Sequence, residues 1–402
     1  MEKGGRQVIM LYGATFLGAV LNFAASKVNT DVLDPAQYGD VRYVLNIIQL
    51  MSWVVLFGWF MSGSRLLALS DDAEYRSRIR GALLLFLSAA ALLLMTATAA
   101  AGLLHDTPLR FLFFCAVPVA AYPLLTNYMN TTAQGDNHIG RLALARVLPV
   151  MCYIPIALIL FRRSDSVAPQ TVLWLHWGVC TLVLLAIVFS TGPSFRNLKP
   201  VFSALRQENR EYGIQLYWGS LAMVATNYLA GVTLGWFGEA DNTNVGFYTL
   251  ALSLAQPLSY LPGIVGTTYF RRFVHEDRIP GRVLAVTVAL TVLTCIGFII
   301  LVRPVVSLYK ESYAPVAGYA SLLSLGFCIH GLGDMINRYL GSHGQGRSIR
   351  NSSFFCGGVK IAGSLLFVWL WNINGAILTM VLSSAVYTLS LFIQYRSYVR
   401  NK

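Results

Sequence analysis

Apolar residues in this chain arrive in blocks of about twenty, each closed by Gly, Pro, Asn or charged residues. That length matches a bilayer, whose hydrocarbon core is about 30 Å thick, because each helical residue rises about 1.5 Å. Hydrocarbon offers no partner to backbone N–H and C=O groups, so every such block is expected to be a helix. The period-two alternation of an outer-membrane barrel is missing. Windows of about 19 residues predict spans near 8–28, 43–63, 81–103, 109–130, 142–161, 170–190, 212–236, 246–269, 283–302, 316–339, 353–371 and 375–395. The pattern therefore predicts an all-α membrane protein of about 12 transmembrane helices.

Composition agrees with the pattern. The 402 residues are 56% hydrophobic and 12% charged, against roughly 25% charged in ordinary soluble domains. A soluble fold of this length would lack the polar surface it needs. The start, with its basic Met1–Gln7 stretch and the small residues Ala24, Ala25 and Ser26, superficially resembles a signal peptide. The apolar run from Val8 exceeds the roughly 7–15 residues of a signal core, so it reads as an uncleaved first span.

Charge sets the expected orientation. With both termini in the cytoplasm, the inside segments hold 20 of the 30 basic residues, including Arg65, Arg76, Arg78, Arg80, Arg206, Arg210, Arg272 and Arg278. The outside loops hold seven, with Arg162 and Arg163 as the local exception. The net charge of +12 is thus read as attraction to anionic lipid headgroups. No zinc-spaced Cys/His set or aromatic-interleaved basic patch points to nucleic acid. The six cysteines fall in or beside spans and read as packing residues.

The chain also repeats weakly. An offset of 207 residues aligns Asp34–Gly39 with Asp241–Gly246, Arg65 with Arg272, and Asn130 with Asn337; Gln134-Gly135 and Gln345-Gly346 follow at a slightly larger offset. Six spans per half, an even number, give the halves the same orientation, and parallel repeats are one transporter architecture. The expected division is a six-helix bundle over 1–200 and another over 201–402.

Three motifs carry a family resemblance: an extended turn at Leu33-Asp34-Pro35-Ala36-Gln37-Tyr38-Gly39, the Asn244-Val245-Gly246-Phe247-Tyr248 opening of span 8, and the Gln134-Gly135-Asp136-Asn137 turn after span 4. With the half-length repeat, the chain resembles polysaccharide-export proteins of the multidrug/oligosaccharidyl-lipid/polysaccharide (MOP) exporter superfamily, in particular Wzx-type O-antigen flippases. The resemblance implies two parallel-repeat six-helix bundles in a V like that of MATE transporters. It implies a multi-pass protein of the bacterial cytoplasmic (inner) membrane that flips undecaprenyl-pyrophosphate-linked oligosaccharide outward by alternating access. Partners would be that lipid-linked glycan, membrane lipids, a glycan polymerase and a chain-length regulator. No bound cofactor is expected, although H⁺ or Na⁺ coupling fits the superfamily.

Charges retained inside spans are costly and usually face a wet cavity. In span 10, His330, Asp334, Asn337 and Arg338 share one helical face, and Asp334 is placed to pair with Arg338 one turn on. Lys360 lies deep in span 11 with no acid within a turn, flanked by Gly357, Gly358 and Gly363. Arg146 falls in span 5; Asn22 and Lys27 in span 1, and Asn227 in span 7, add polarity. Cations Arg146, Arg338 and Lys360 outnumber the single acid Asp334, which suits an anionic cargo. They are the candidate substrate-binding residues; Asp334, Asn337, His330, Asn22, Lys27 and Asn227 are candidate cavity or coupling residues. No catalytic or metal site is expected.

Two other functions compete. A multidrug or metabolite antiporter of the same fold would need coupling carboxylates, and only Asp334 qualifies, with Arg338 available to neutralise it. A membrane glycan polymerase or ligase would carry a large external loop and a nucleophile–base set, and the sequence shows neither.

Overall fold

The computed structural model describes residues 3–163, 166–238 and 241–400. The ends of the Met1–Gln7 stretch and of the basic C-terminus, at residues 1–2 and 401–402, lie outside them. Helices occupy every predicted span, with a break at 55–58 inside the second, and they overrun most of the predicted limits. Two compact units emerge: Met1–Leu33 with Val44–Leu221, and Asp34–Tyr43 with Ala222–Lys402.

The first unit contains α1 (Lys3–Val32), most of α2 (Pro35–Val54), α3 (Trp59–Leu69), α4 (Ala73–Gly102), α5 (Thr107–Ala116), α6 (Tyr122–Gly135), α7 (Ile139–Phe161), α8 (Pro169–Phe189), α9 (Lys199–Glu208) and α10 (Ile214–Ser220). Local chemistry sets these limits. Asp72 caps α4 by accepting the Glu74 amide at 2.9 Å. Pro108 and Pro169 stand in the first turns of α5 and α8, where a missing N–H costs nothing. Pro118 sits in the 3₁₀ turn Val117–Val119 that divides α5 from α6. Phe57 (φ 45°) and Gly58 (φ 79°) break the second predicted span, so α2 and α3 meet at a 58° bend. At that break Asn209 donates to the Phe57 carbonyl at 3.0 Å and accepts from Ser62, while Arg65 pairs with Glu208 at 2.7 Å.

The second unit contains the first turns of α2, then α11 (Thr226–Trp236), α12 (Thr243–Ala255), α13 (Tyr260–Thr268), α14 (Phe270–Phe273), α15 (Gly281–Val306), α16 (Val316–Ser342) and α17 (Gly346–Arg400). Pro257 lies in the 3₁₀ turn Gln256–Ser259 that splits the eighth predicted span. Helix α17 holds the last two spans, joined at Asn372, whose φ of 49° and ψ of −127° leave the helix.

The motif at Leu33–Gly39 is a helix start rather than the extended turn expected from sequence. Asp34 Oδ1 accepts the Gln37 amide at 2.8 Å and Gln37 Oε1 accepts the Asp34 amide at 3.3 Å, a reciprocal capping box with Pro35 opening the helix. Gly39 belongs to a close helix contact: a Cβ there would stand 1.8 Å from the Asn242 carbonyl oxygen. Its repeat mate Gly246 is also tightly packed, though less so, with a Cβ reaching 2.7 Å from the Pro35 carbonyl oxygen. Helix limits keep the same spacing: α6 and α16 end at Gly135 and Ser342, and α7 and α17 begin at Ile139 and Gly346.

Among the described residues, eight helices are long and apolar enough to cross a membrane, or nine with the bent α2–α3 pair. This is fewer than the twelve windows, because α17 counts once and the spans at 212–236 and 246–269 are built from shorter helices with π or 3₁₀ turns. The apolar faces are outward. In α15 only 17% of the most apolar stretch is buried, and Leu293, Ile296, Ile300 and Leu301 are exposed. Such a surface is compatible with lipid and not with water. The chain is a multi-pass, all-α membrane protein.

Candidate functional site

In the second unit, polar side chains from α11, α16 and α17 converge. Lys360 is only 5% exposed and donates through Nζ to Asn227 Oδ1 across the α17–α11 contact. Gly357 packs tightly on the π turn Leu221–Ala225 that leads into α11, where a Cβ would lie 2.7 Å from the Ala222 carbonyl oxygen. Gly363 does the same against Thr379 on the second half of α17, whereas Gly358 faces open space. The ammonium has three N–H donors, and Asn227 is its one hydrogen-bond acceptor among the described residues.

A neighbouring set centres on Tyr387. Its hydroxyl donates to Asp334 Oδ1 at 3.1 Å and accepts from Asn337 Nδ2 at 2.8 Å. The His330 ring stacks on the Tyr387 ring, 4.6 Å between centroids at 20°, and its Nδ1 is buried without a hydrogen-bond partner. Asp334 and Lys360 are within electrostatic reach of each other. A buried cation, a half-buried carboxylate and an imidazole thus lie within electrostatic reach of one another, and Tyr387 also belongs to an apolar cluster with Met335, Tyr339, Cys356 and Leu391.

Arg338 does not join them. The expected Asp334–Arg338 ion pair is not formed: Asp334 is held by Tyr387, while Arg338 is exposed, with its stem against Gly266 of α13. Asp334 and Arg338 do stand one turn apart on α16, but Tyr387 of α17 competes for the carboxylate. The spans gave no signal for Tyr387, an aromatic residue in an apolar stretch.

In the first unit, Arg146 of α7 is half-buried and donates through Nη1 to Thr15 Oγ1 of α1 at 2.7 Å. Gly18 lies beside the Arg146 backbone at ordinary contact distance, a Cβ there standing 3.6 Å from the Arg146 carbonyl oxygen. Asn22 is exposed and turns back on its own helix, donating to the Gly18 carbonyl at 2.8 Å. Lys27 pairs with Asp31 one turn on. Sequence reasoning missed a buried neutral pair there: Tyr153 of α7 donates to Asn29 of α1 and stacks on His176 of α8 at 4.4 Å. Asn29 stands one heptad after Asn22, which is the signal that could have found it.

These helices match known transport folds. An inward-facing multidrug resistance MATE family transporter of the MOP superfamily is similar with a TM-score of 0.74 and 13% identity, over 98% of each chain. The lipid II flippase MurJ, in an inward closed conformation, also gives 0.74, with 11% identity over 96% of this chain and 87% of that one. A MATE in the straight conformation gives 0.63 with 13% identity, over 98% and 95% of the two chains. Comparison with curated proteins gives no sequence match. At such low identity the structures establish the fold: that of MOP-superfamily transporters and flippases. Sequence carries the family itself, since residues 5–274 match the family described as polysaccharide biosynthesis protein, and the chain belongs to that family.

Proposed function

We propose that the chain flips a lipid-linked glycan, with the anionic carrier phosphate or acidic sugars meeting Lys360 during transit. Membership of the polysaccharide biosynthesis family and the fold of a transporter make it a membrane transporter of lipid-linked glycans or of small drug-like molecules. The observation that favours the glycan is Lys360: a buried ammonium with two of its three donors unmatched by acceptors among the described residues. A cation buried within a membrane span costs at least about 2.5 kcal/mol, and an anionic cargo would offset that. Carriage of an undecaprenyl-pyrophosphate-linked repeat unit, outward across a bacterial inner membrane with both termini cytoplasmic, follows from this reading and the distribution of Lys and Arg. Replacing Lys360 with alanine should abolish glycan export and leave lipid-linked repeat units on the cytoplasmic face, with the protein still in the membrane. Normal export by that variant sinks the reading.

A drug or metabolite antiporter remains the second reading, because Asp334 is not neutralised by Arg338. The same carboxylate supports H⁺ coupling of glycan transport. Vesicles with an imposed pH gradient separate these: Asp334→Asn should uncouple transport from the gradient, and the cargo that moves identifies the class.

A further inference from the structure

The turn between α6 and α7 is built residue by residue. Gly135 approaches α3 so closely that a Cβ would stand 2.3 Å from the Ser64 carbonyl oxygen. Asn137 takes a left-handed φ of 55°, which asparagine tolerates. Asp136 is buried and gathers two arginines of α4: Arg76 donates through Nε and Nη2 to Oδ1 at 3.0 and 2.8 Å, and Arg80 through Nη1 to Oδ2 at 2.7 Å. Arg76 Nη2 also reaches the Asp136 backbone carbonyl at 3.0 Å.

One carboxylate balances the charge of one cation, however many donors its oxygens accept. Here Asp136 faces two guanidiniums, and a third, Arg141, pairs with no acid among the described residues; its hydrogen bond to the Ser190 carbonyl is long at 3.4 Å. Arg80 Nε is buried without an acceptor. His138 is exposed at the rim, and its proton affinity is pushed down by desolvation and then by Arg141, with Arg76 and Arg80 adding and Asp136 opposing. The imidazole therefore stays neutral near pH 7, able to donate or accept beside these cations. Arg76, Arg80 and Arg141 against Asp136 leave two positive charges uncompensated. Neighbouring Arg78 adds nothing, since Glu74 pairs with it.

We infer that this end of the first unit is an anion site, formed by Arg76, Arg80, His138 and Arg141, that takes a phosphate ester presented at the membrane surface. Guanidiniums prefigured by Asp136 match phosphate oxygens in pairs, and a phosphate group carries the charge the node lacks. The site lies on the Lys- and Arg-rich side of the chain, where anionic headgroups gather. It is separate from the Lys360 interior and does not depend on the flipping reading.

The test uses the full chain in phosphatidylcholine nanodiscs, doped with either phosphatidylglycerol or polyprenyl pyrophosphate, with retained lipid counted by native mass spectrometry. Arg141→Gln should retain about tenfold less of the doped anionic lipid, the loss of one charge-assisted bond. Arg141→Lys should fall between, keeping charge but not the paired geometry. Arg347→Gln, an exposed arginine of α17, controls for bulk charge and should leave retention unchanged. Retention of polyprenyl pyrophosphate alone assigns the site to carrier lipid, and retention of both lipids assigns it to phosphate headgroups in general. Equal losses in Arg141→Gln and Arg347→Gln, or no loss in a well-folded Arg141→Gln, overturn the inference.

Discussion

The two units use corresponding helices for different electrostatics. In each, a helix of the first pair is tied to the fifth in repeat order: Tyr153 to Asn29 in the first unit, Lys360 to Asn227 in the second. The 207-residue offset puts Tyr153 and Lys360 at one position, and it puts Asn127 opposite Asp334. An aromatic pair also joins the fourth and sixth helices of each unit, Tyr122 with Trp177 at 5.2 Å and His330 with Tyr387 at 4.6 Å. The scaffold is repeated, but the charge is not. The first unit keeps its buried carboxylate, Asp136, at a helix end, while the second holds Asp334 and Lys360 in its interior. A neutral pair of tyrosine and asparagine suffices to pack two helices, so the charged version points to work beyond packing.

That contrast can be broken at several places, in descending order of effect. Asp136→Ala leaves two arginines unpaired at a buried site and should cost about 3–5 kcal/mol of stability, read as a lowered unfolding temperature in detergent. Lys360→Met keeps the volume and removes the charge; transport should fall about tenfold to a hundredfold, equivalent to a lost charged hydrogen bond of about 1.5–3 kcal/mol, with the unfolding temperature held or raised. Tyr387→Phe strips the bonds to Asp334 and Asn337 and should cost about 1–2 kcal/mol, together with a change in the pH dependence of transport. Tyr153→Phe, its counterpart across the comparison, should cost about 1 kcal/mol and leave transport at its normal rate. Arg338→Ala should stay within about 0.5 kcal/mol and preserve transport, because Arg338 is exposed and apart from the cluster.

Sequence made the helices and the polar positions legible, because hydrocarbon imposes length and penalises charge in a way that one chain displays by itself. Lys360, Asn227, Asp334, Asn337 and His330 are all visible as polar breaks in apolar spans, and the structure brings them into one unit's interior. Pairing was less visible. Asp334 and Arg338 have the right spacing, yet which donor reaches Asp334 depends on how α16 meets α17, and spacing within one helix carries no information about that. The helix start at Asp34 was misread as an extended turn, although Asp34-Pro35-Ala36-Gln37 contains both halves of a capping box. Asn29 escaped because it hides one turn from the end of a long helix and its partner is a tyrosine, an ordinary residue in a membrane span.

In the proposed function the cation in the second unit's interior serves the cargo. A leaflet-resolved assay of lipid-linked glycan, in membranes carrying Lys360→Met or Arg338→Ala at equal protein levels, measures this most directly. Glycan should be stranded on its side of synthesis in the first variant and normally distributed in the second. Normal distribution in the Lys360→Met membranes would rule out a role for Lys360 in carrying the cargo.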